Sequence, residues 1–348
     1  MFAVVGATIG LGLLAVSQLT LAAPAAYLPE QAVVASPGLP TLNPINKAGE
    51  VVHILPTRKL AADLAAASAA VGFADNGPLL YHAGGKIMPS VISYIIFWTP
   101  PKLQTGAVAG WSAAYQNLQT RFLTDYQGHS LANNNTQYYQ TISGVTSYIH
   151  DTGGVSGVYV DTAAYPASGC SDSITPGNCL SDAQIQAEIK KVMALKGWTP
   201  GMNKIFFVYT AKGEGSCYGA SCSYTQFCAY HGNFGSVATP TIYANMPYAA
   251  SPYCTASTSP NGNVEADSGA SITSHELIEA VTDPMLNAWF TAQGNEIGDL
   301  CAWNYGTNTW GALANQKWNG HLYELQQEYD NHAAAVFGAL KGCVQVGP

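Results

Sequence analysis

The sequence predicts an α/β domain with a mainly parallel central sheet flanked by helices and long disulfide-held loops. Three observations lead there. β-Branched and aromatic runs of strand length recur at residues 91–98, 155–160 and 204–209. A capped helix separates the last two, which gives the order strand, helix, strand of a βαβ unit. Eight cysteines, all at or beyond position 170, accompany a Gly-, Ser- and Pro-rich stretch at 213–262.

Taken in order, residues 2–23 carry no charged side chain, and the apolar run 11–21 passes into Ala22-Ala23-Pro24-Ala25-Ala26. Residues 1–25 therefore read as a secretory signal peptide cleaved near Ala23 or Ala25. No Lys or Arg precedes the run, so an upstream start or an uncleaved anchor are the alternatives; no other stretch approaches the roughly 20 apolar residues of a span. Residues 26–76 set Pro29, Pro37, Pro40, Pro44 and Pro56 among small residues, with one alanine-rich helix near 59–71, and read as a linker or pro-segment. A single domain over 77–348 follows.

Within it, Val91-Ile-Ser-Tyr-Ile-Ile-Phe-Trp98 is a central strand stopped by Pro100-Pro101. Residues 107–126 place Trp111, Tyr115, Leu118, Phe122 and Leu123 at helical spacing, and 138–149 reads as a second helix. Ser181 and Gln184 form an S-x-x-Q capping box ahead of the stripe Ile185, Ile189 and Val192, which Gly197 and Pro200 end. Residues 213–262 read as loops around one strand at 241–245. No internal repeat is present.

An even number of cysteines in an exported chain implies disulfides among Cys170, Cys179, Cys217, Cys222, Cys228, Cys254, Cys301 and Cys343. The C-x-x-C pairs of a zinc ribbon are missing, and Cys170 with Cys179 and Cys217 with Cys222 are the expected local loops. Thirteen basic against 21 acidic residues, a net charge of −8 and only 10% charged side chains make a neutral-polar surface. That excludes a nucleic-acid partner and electrostatic binding to anionic membranes. After signal cleavage no stable membrane association is expected, and the location is extracellular.

The chemistry lies in Ser271-Ile-Thr-Ser-His275-Glu276-Leu-Ile-Glu279-Ala-Val-Thr-Asp283-Pro284. On a helix His275 and Glu279 share a face, with Glu276 beside them. This is H-E-x-x-H with glutamate for the second histidine, and zinc accepts either donor. Three protein ligands leave a place for water, whose proton Glu276 is positioned to take as general base. Glu296 and Asp299, in the turn Asn295-Glu-Ile-Gly-Asp299, are the candidate third ligands.

The pattern resembles the gluzincin metallopeptidases, and the resemblance implies that Glu296 binds metal while Asp299 hydrogen-bonds His275. His231 and His321 are further candidates for a ligand or a transition-state donor, against structural roles for both. A plainer reading makes Thr273 and Glu276 a capping box and Asp283-Pro284 a helix stop; an oxygen-rich calcium site is another. Trp289, Trp303, Tyr305, Trp310 and Trp318 read as core, or as a sugar- or peptide-stacking cleft where exposed. No G-x-S-x-G elbow points to a serine hydrolase.

Gly77-Pro-Leu-Leu-Tyr-His82, the strand into Phe97-Trp98, Val158-Tyr-Val160, the region from Cys217 to His231, Pro260-Asn-Gly-Asn and the helix leading to Val281-Thr-Asp-Pro284 carry a second resemblance. Together they resemble the phosphate-induced, EXORDIUM-like family of secreted proteins, known mainly from plant cell walls. The resemblance spans most of residues 77–290 and implies an extracellular location and a growth-related role. The plant pattern lacks the His-Glu pair, so the chain reads as a branch of that fold equipped for metal chemistry. Two functions are expected from this: a secreted zinc-dependent hydrolase, foremost a metallopeptidase acting on a peptide or cell-wall polymer, or a non-catalytic extracellular binding protein whose helix is structural or binds calcium.

Overall fold

Six strands form the central sheet of the computed structural model, which describes residues 41–46, 49–70, 75–250, 252–256 and 258–346. They are β1 (His53–Pro56), β2 (Val91–Trp98), β3 (Gly153–Asp161), β4 (Lys204–Thr210), β5 (Phe227–Ser236) and β6 (Thr239–Met246), in the spatial order β1-β5-β6-β4-β2-β3. Strands β6, β4, β2 and β3 run parallel, while β5 is antiparallel to both β6 and β1. The sheet is therefore mixed: its parallel part is the one expected, and the antiparallel edge is not.

Helices α1 (Arg58–Ala70), α2 (Ala113–Asp125), α3 (Asp182–Lys196) and α4 (Val264–Thr282) complete the framework. Side chains alternate across the sheet. Ile95, Phe97, Ile205, Phe207, Ile242 and Ala244 enter one core with residues of α2 and α4. Tyr94, Ile96, Trp98, Phe206, Val208 and Tyr243 enter the other with Ile185, Ile189 and Val192 of α3. The capping box of Ser181 and Gln184 is formed, and α3 ends at a left-handed Gly197. Every residue of α4 from Ala266 to Thr282 is buried, so this helix lies inside the molecule rather than on it.

Several expectations are corrected. Residues 138–149 are a hairpin, Tyr139–Ile142 against Val145–Tyr148. Ser143 and Gly144 have φ of 52° and 79°, the two positive values of a tight hairpin turn, and β-branched Thr141, Ile142, Val145 and Thr146 favour strand over helix. The stretch 213–262 holds the β5–β6 hairpin and the strands Gly215–Tyr218 and Ser221–Cys222, not one strand among loops. The framework also begins before Gly77, because β1 pairs with β5 and α1 follows it. At 53–56 that part of 26–76 is sheet instead of linker, while α1 is the helix expected near 59–71.

The signal segment 1–25 lies outside the described residues. All eight cysteines pair: Cys170–Cys179 and Cys217–Cys222 as expected, then Cys228–Cys254 and Cys301–Cys343. Among the described residues, no helix is long and apolar enough to cross a membrane.

Candidate metal centre

The antiparallel edge places two histidines side by side. His53 of β1 pairs across to His231 of β5, and their ring centroids are 5.8 Å apart. Two residues along each strand, Leu55 and Ala229 belong to the core beneath α4, so the period of two turns both imidazoles toward that helix. From α4 come His275, Glu276 and Glu279, and from the segments after it come Glu296, Asp299 and Glu328. Apart from Asp299, whose side chain is 3% exposed, each of these residues is no more than 2% exposed.

Asn263, not Thr273, caps α4, its side chain accepting from Ala266 N. Thr273 and Glu276 therefore sit in mid-helix and the capping-box reading of Glu276 falls. Asp283 does end the helix, its Oδ1 accepting from Asn287 N and Ala288 N.

The donor atoms converge without satisfying one another. His231 Nδ1 stands 3.4 Å from Glu276 Oε2 and 3.6 Å from Glu279 Oε2, and its Nε2 is 3.7 Å from Glu296 Oε2. Neither nitrogen of His231, neither oxygen of Glu276 or Glu279, nor Glu296 Oε2 makes a hydrogen bond. His53 is held more firmly: Nε2 is 2.6 Å from Asp299 Oδ2, and Nδ1 is 2.9 Å from Asn43 Oδ1. Asp299 Oδ2 also accepts from Glu296 N at 2.8 Å, while its Oδ1 is unbonded.

His275 Nδ1 meets Gln326 Nε2 at 2.7 Å, not Asp299, which corrects the pairing that the gluzincin resemblance implied. An amide nitrogen only donates, so Nδ1 accepts and the neutral ring carries its proton on Nε2, 3.0 Å from Glu279 Oε1. Gly298 closes over this pair. A Cβ there would lie 2.4 Å from His275 Nδ1 and 2.9 Å from Glu279 Oε1, so only glycine fits.

Among the described residues, no lysine or arginine forms an ion pair with any of these carboxylates. Burial, reinforced by the neighbouring carboxylates, drives Glu276, Glu279 and Glu296 well above the usual carboxylate range. Burial likewise raises Glu328 and pushes Asp283 up to about 7. It lowers His231 far below the ordinary imidazole value and lowers His275 as well. For His53 burial also acts downward, but Asp299 and Glu279 outweigh it and the pKa rises. Without a cation these groups escape the cost of buried charge by holding their protons; a cation among them would favour the ionised form instead.

Within this centre two donor sets have ligand atoms within 4.8 Å of one another: His231, Glu279 and Glu296, and His53, Glu279 and Asp299. The expected residues Glu279, Glu296, Asp299 and His231 thus meet, with Glu276 and His275 alongside. His321 does not join them; its Nδ1 bonds Asp125 Oδ2 on α2 at 2.6 Å. His53, Gln326, Glu328 and Asn43 were not read from the sequence. For His53 a signal existed: Val52 and Ile54 alternate with His53 and Leu55 at the strand period between two prolines. Of the tryptophans, Trp289 and Trp318 are core while Trp310 is 48% exposed beneath Lys317.

Fold and site together define an α/β protein with a buried histidine–carboxylate centre. Over 67 residues the chain is 40% identical to Protein EXORDIUM-like 3 of Arabidopsis thaliana, a match covering 18% of this chain and 20% of that protein. Over 61 residues it is 39% identical to Protein EXORDIUM-like 5 of the same plant, covering 16% and 17%. The chain thus spans about a fifth of the length of the curated relatives that it matches. No family model matches the sequence, and no solved structure matches it.

Proposed function

We propose that this is an extracellular, non-catalytic protein of the EXORDIUM-like kind, in which His231, Glu279 and Glu296 hold a divalent metal ion that staples the fold. The observation that carries the reading is His231: fully buried, facing three glutamates, with neither ring nitrogen bonded. An imidazole among carboxylates is the donor set of zinc, whereas calcium takes oxygen alone and leaves His231 unused. The staple would join β5, α4 and the turn after it, segments far apart in sequence. The four disulfides and the expected signal segment support the extracellular location, and a cell-wall polymer or peptide is the expected partner.

One observation favours the second reading, a secreted zinc-dependent hydrolase with Glu276 as general base: Glu276 adjoins the donor set with both oxygens unbonded. Against it stands the burial of the whole cluster, because a catalytic site keeps one position open to substrate. Mass spectrometry of metal content, on protein purified without chelator, tests the proposal. Zinc present in the wild type and reduced in a folded His231→Ala variant is expected; metal-free, folded wild type overturns it. Peptide hydrolysis that Glu276→Gln abolishes at unchanged zinc content would instead establish the hydrolase.

A further inference from the structure

The two donor sets share one residue, Glu279, and place the two strand histidines in different sets. We propose that the centre is binuclear, with a second divalent ion held by His53 and Asp299 and with Glu279 bridging the pair. The proposal rests on the metal-centre reading above and adds the second ion and the bridge.

Three features point to it. First, His53 is prepared as a ligand. The Asn43 amide donates its nitrogen to Gly294 O at 3.5 Å, which leaves Oδ1 to accept from His53 Nδ1. With Nδ1 turned to Asn43, Nε2 shares a proton with Asp299 Oδ2, 2.6 Å away, and that proton is the one an ion held by the pair would displace. Such an outer hydrogen bond to the far ring nitrogen is the usual support of a metal-bound histidine.

Second, each oxygen of Glu279 has its own neighbourhood. Oε2 lies 3.6 Å from His231 Nδ1, while Oε1 lies 3.0 Å from His275 Nε2 and makes no hydrogen bond. His275, anchored by Gln326 and hemmed in by Gly298, packs against that oxygen and limits how far the carboxylate can turn.

Third, the donors outnumber what one ion takes. Glu276, Glu279, Glu296, Asp299 and Glu328 crowd one buried volume with three imidazoles, whereas a single zinc ion uses about four ligands. Two-metal centres, whose ions sit about 3.5–4 Å apart, are built on shared carboxylates of this kind.

The test is the metal-to-protein ratio of the full chain, loaded with zinc and freed of excess by dialysis. About two zinc ions per chain are expected for the wild type, and about one for His53→Gln and for His231→Gln. Cobalt(II) titration of the metal-free wild type should reach its optical end point at about two equivalents. The electron paramagnetic resonance intensity should fall as the second equivalent couples to the first through Glu279. A wild-type ratio near one, or two uncoupled cobalt signals, overturns the binuclear centre and leaves the single-ion reading standing. A ratio of zero overturns both. If a histidine variant fails to fold, the wild-type ratio and the cobalt signal decide alone.

Discussion

Tyr230 and His231 are neighbours on β5, yet they belong to two different kinds of interior. Tyr230 faces α3, where its hydroxyl and that of Tyr243 donate to Asp182 Oδ1 at 2.8 and 2.6 Å, and Gln186 donates to Asp182 Oδ2 at 2.8 Å. The ring of His231 faces α4 and three glutamates, and neither of its nitrogens has a hydrogen-bond partner. Both environments are dry and both hold carboxylates. The α3 side shows how this protein satisfies a buried acid with side-chain donors, whereas on the α4 side Glu276 and Glu279 have backbone N–H groups of Leu55, Gly298 and Asp299 nearby but no fully formed hydrogen bond. Buried polar groups are nearly always bonded, so the difference marks the second cluster as built for a guest.

Removing the guest should break the comparison most visibly. At a metal concentration about a thousandfold above Kd, binding adds about 4 kcal/mol to stability. Chelation should therefore lower the Tm on the order of 10 °C, as read by calorimetry with the disulfides intact. An unchanged Tm would make the two sides equivalent and remove the case for a cation. On the α3 side, Asp182→Ala should cost about 3 kcal/mol in denaturant unfolding, because it strands two buried tyrosine hydroxyls. The drop in Tm on chelation should survive in that variant. If it vanishes, the two clusters are coupled through β5 and the contrast is false.

Legibility followed the range of the signal. The capping box of α3 and the run Val91–Trp98 were readable because each is written in consecutive residues, and the structure reproduces both. The pairing of His275, Glu276 and Glu279 on one helix face was equally local. Strand β1 was not, since four residues ending in Pro56 carry little pattern and its partner β5 begins at Phe227. Strand β5 itself contains His231, Gly232, Asn233 and Gly235, a composition that reads as loop until a neighbour on each side supplies its hydrogen bonds. The site was half visible for the same reason: the helix contributed a motif, while His53, Gln326 and Glu328 came from segments that only tertiary pairing unites.

The smallest effect concerns how the α3 side handles its second acid. Glu188, 3% exposed, lies beside Asp161 and Lys191, and Lys191 Nζ is 2.6 Å from Asp161 Oδ2. Burial, then the hydrogen bond with Asp161, raises Glu188 from its ordinary 4.5 to about 8, while Asp161 stays below the usual range. A carboxyl whose folded pKa is raised takes up a proton on folding. Its contribution is therefore complete below pH 4.5, declines as pH rises, and is lost above about 8. Asp161, depressed, acts in the opposite sense and only at lower pH, where its stabilisation disappears on acidification. Glu188→Gln keeps a neutral hydrogen-bonding group and cannot titrate. The difference in unfolding free energy between wild type and this variant should shift by about 2 kcal/mol between pH 5 and 8, after discounting for the half-exposed Lys191. Because the metal centre is common to both proteins, its own pH dependence cancels in the difference. A flat difference curve would mean that Lys191 already keeps Glu188 ionised, and that the α3 side neutralises its acids by ion pairing rather than by protonation.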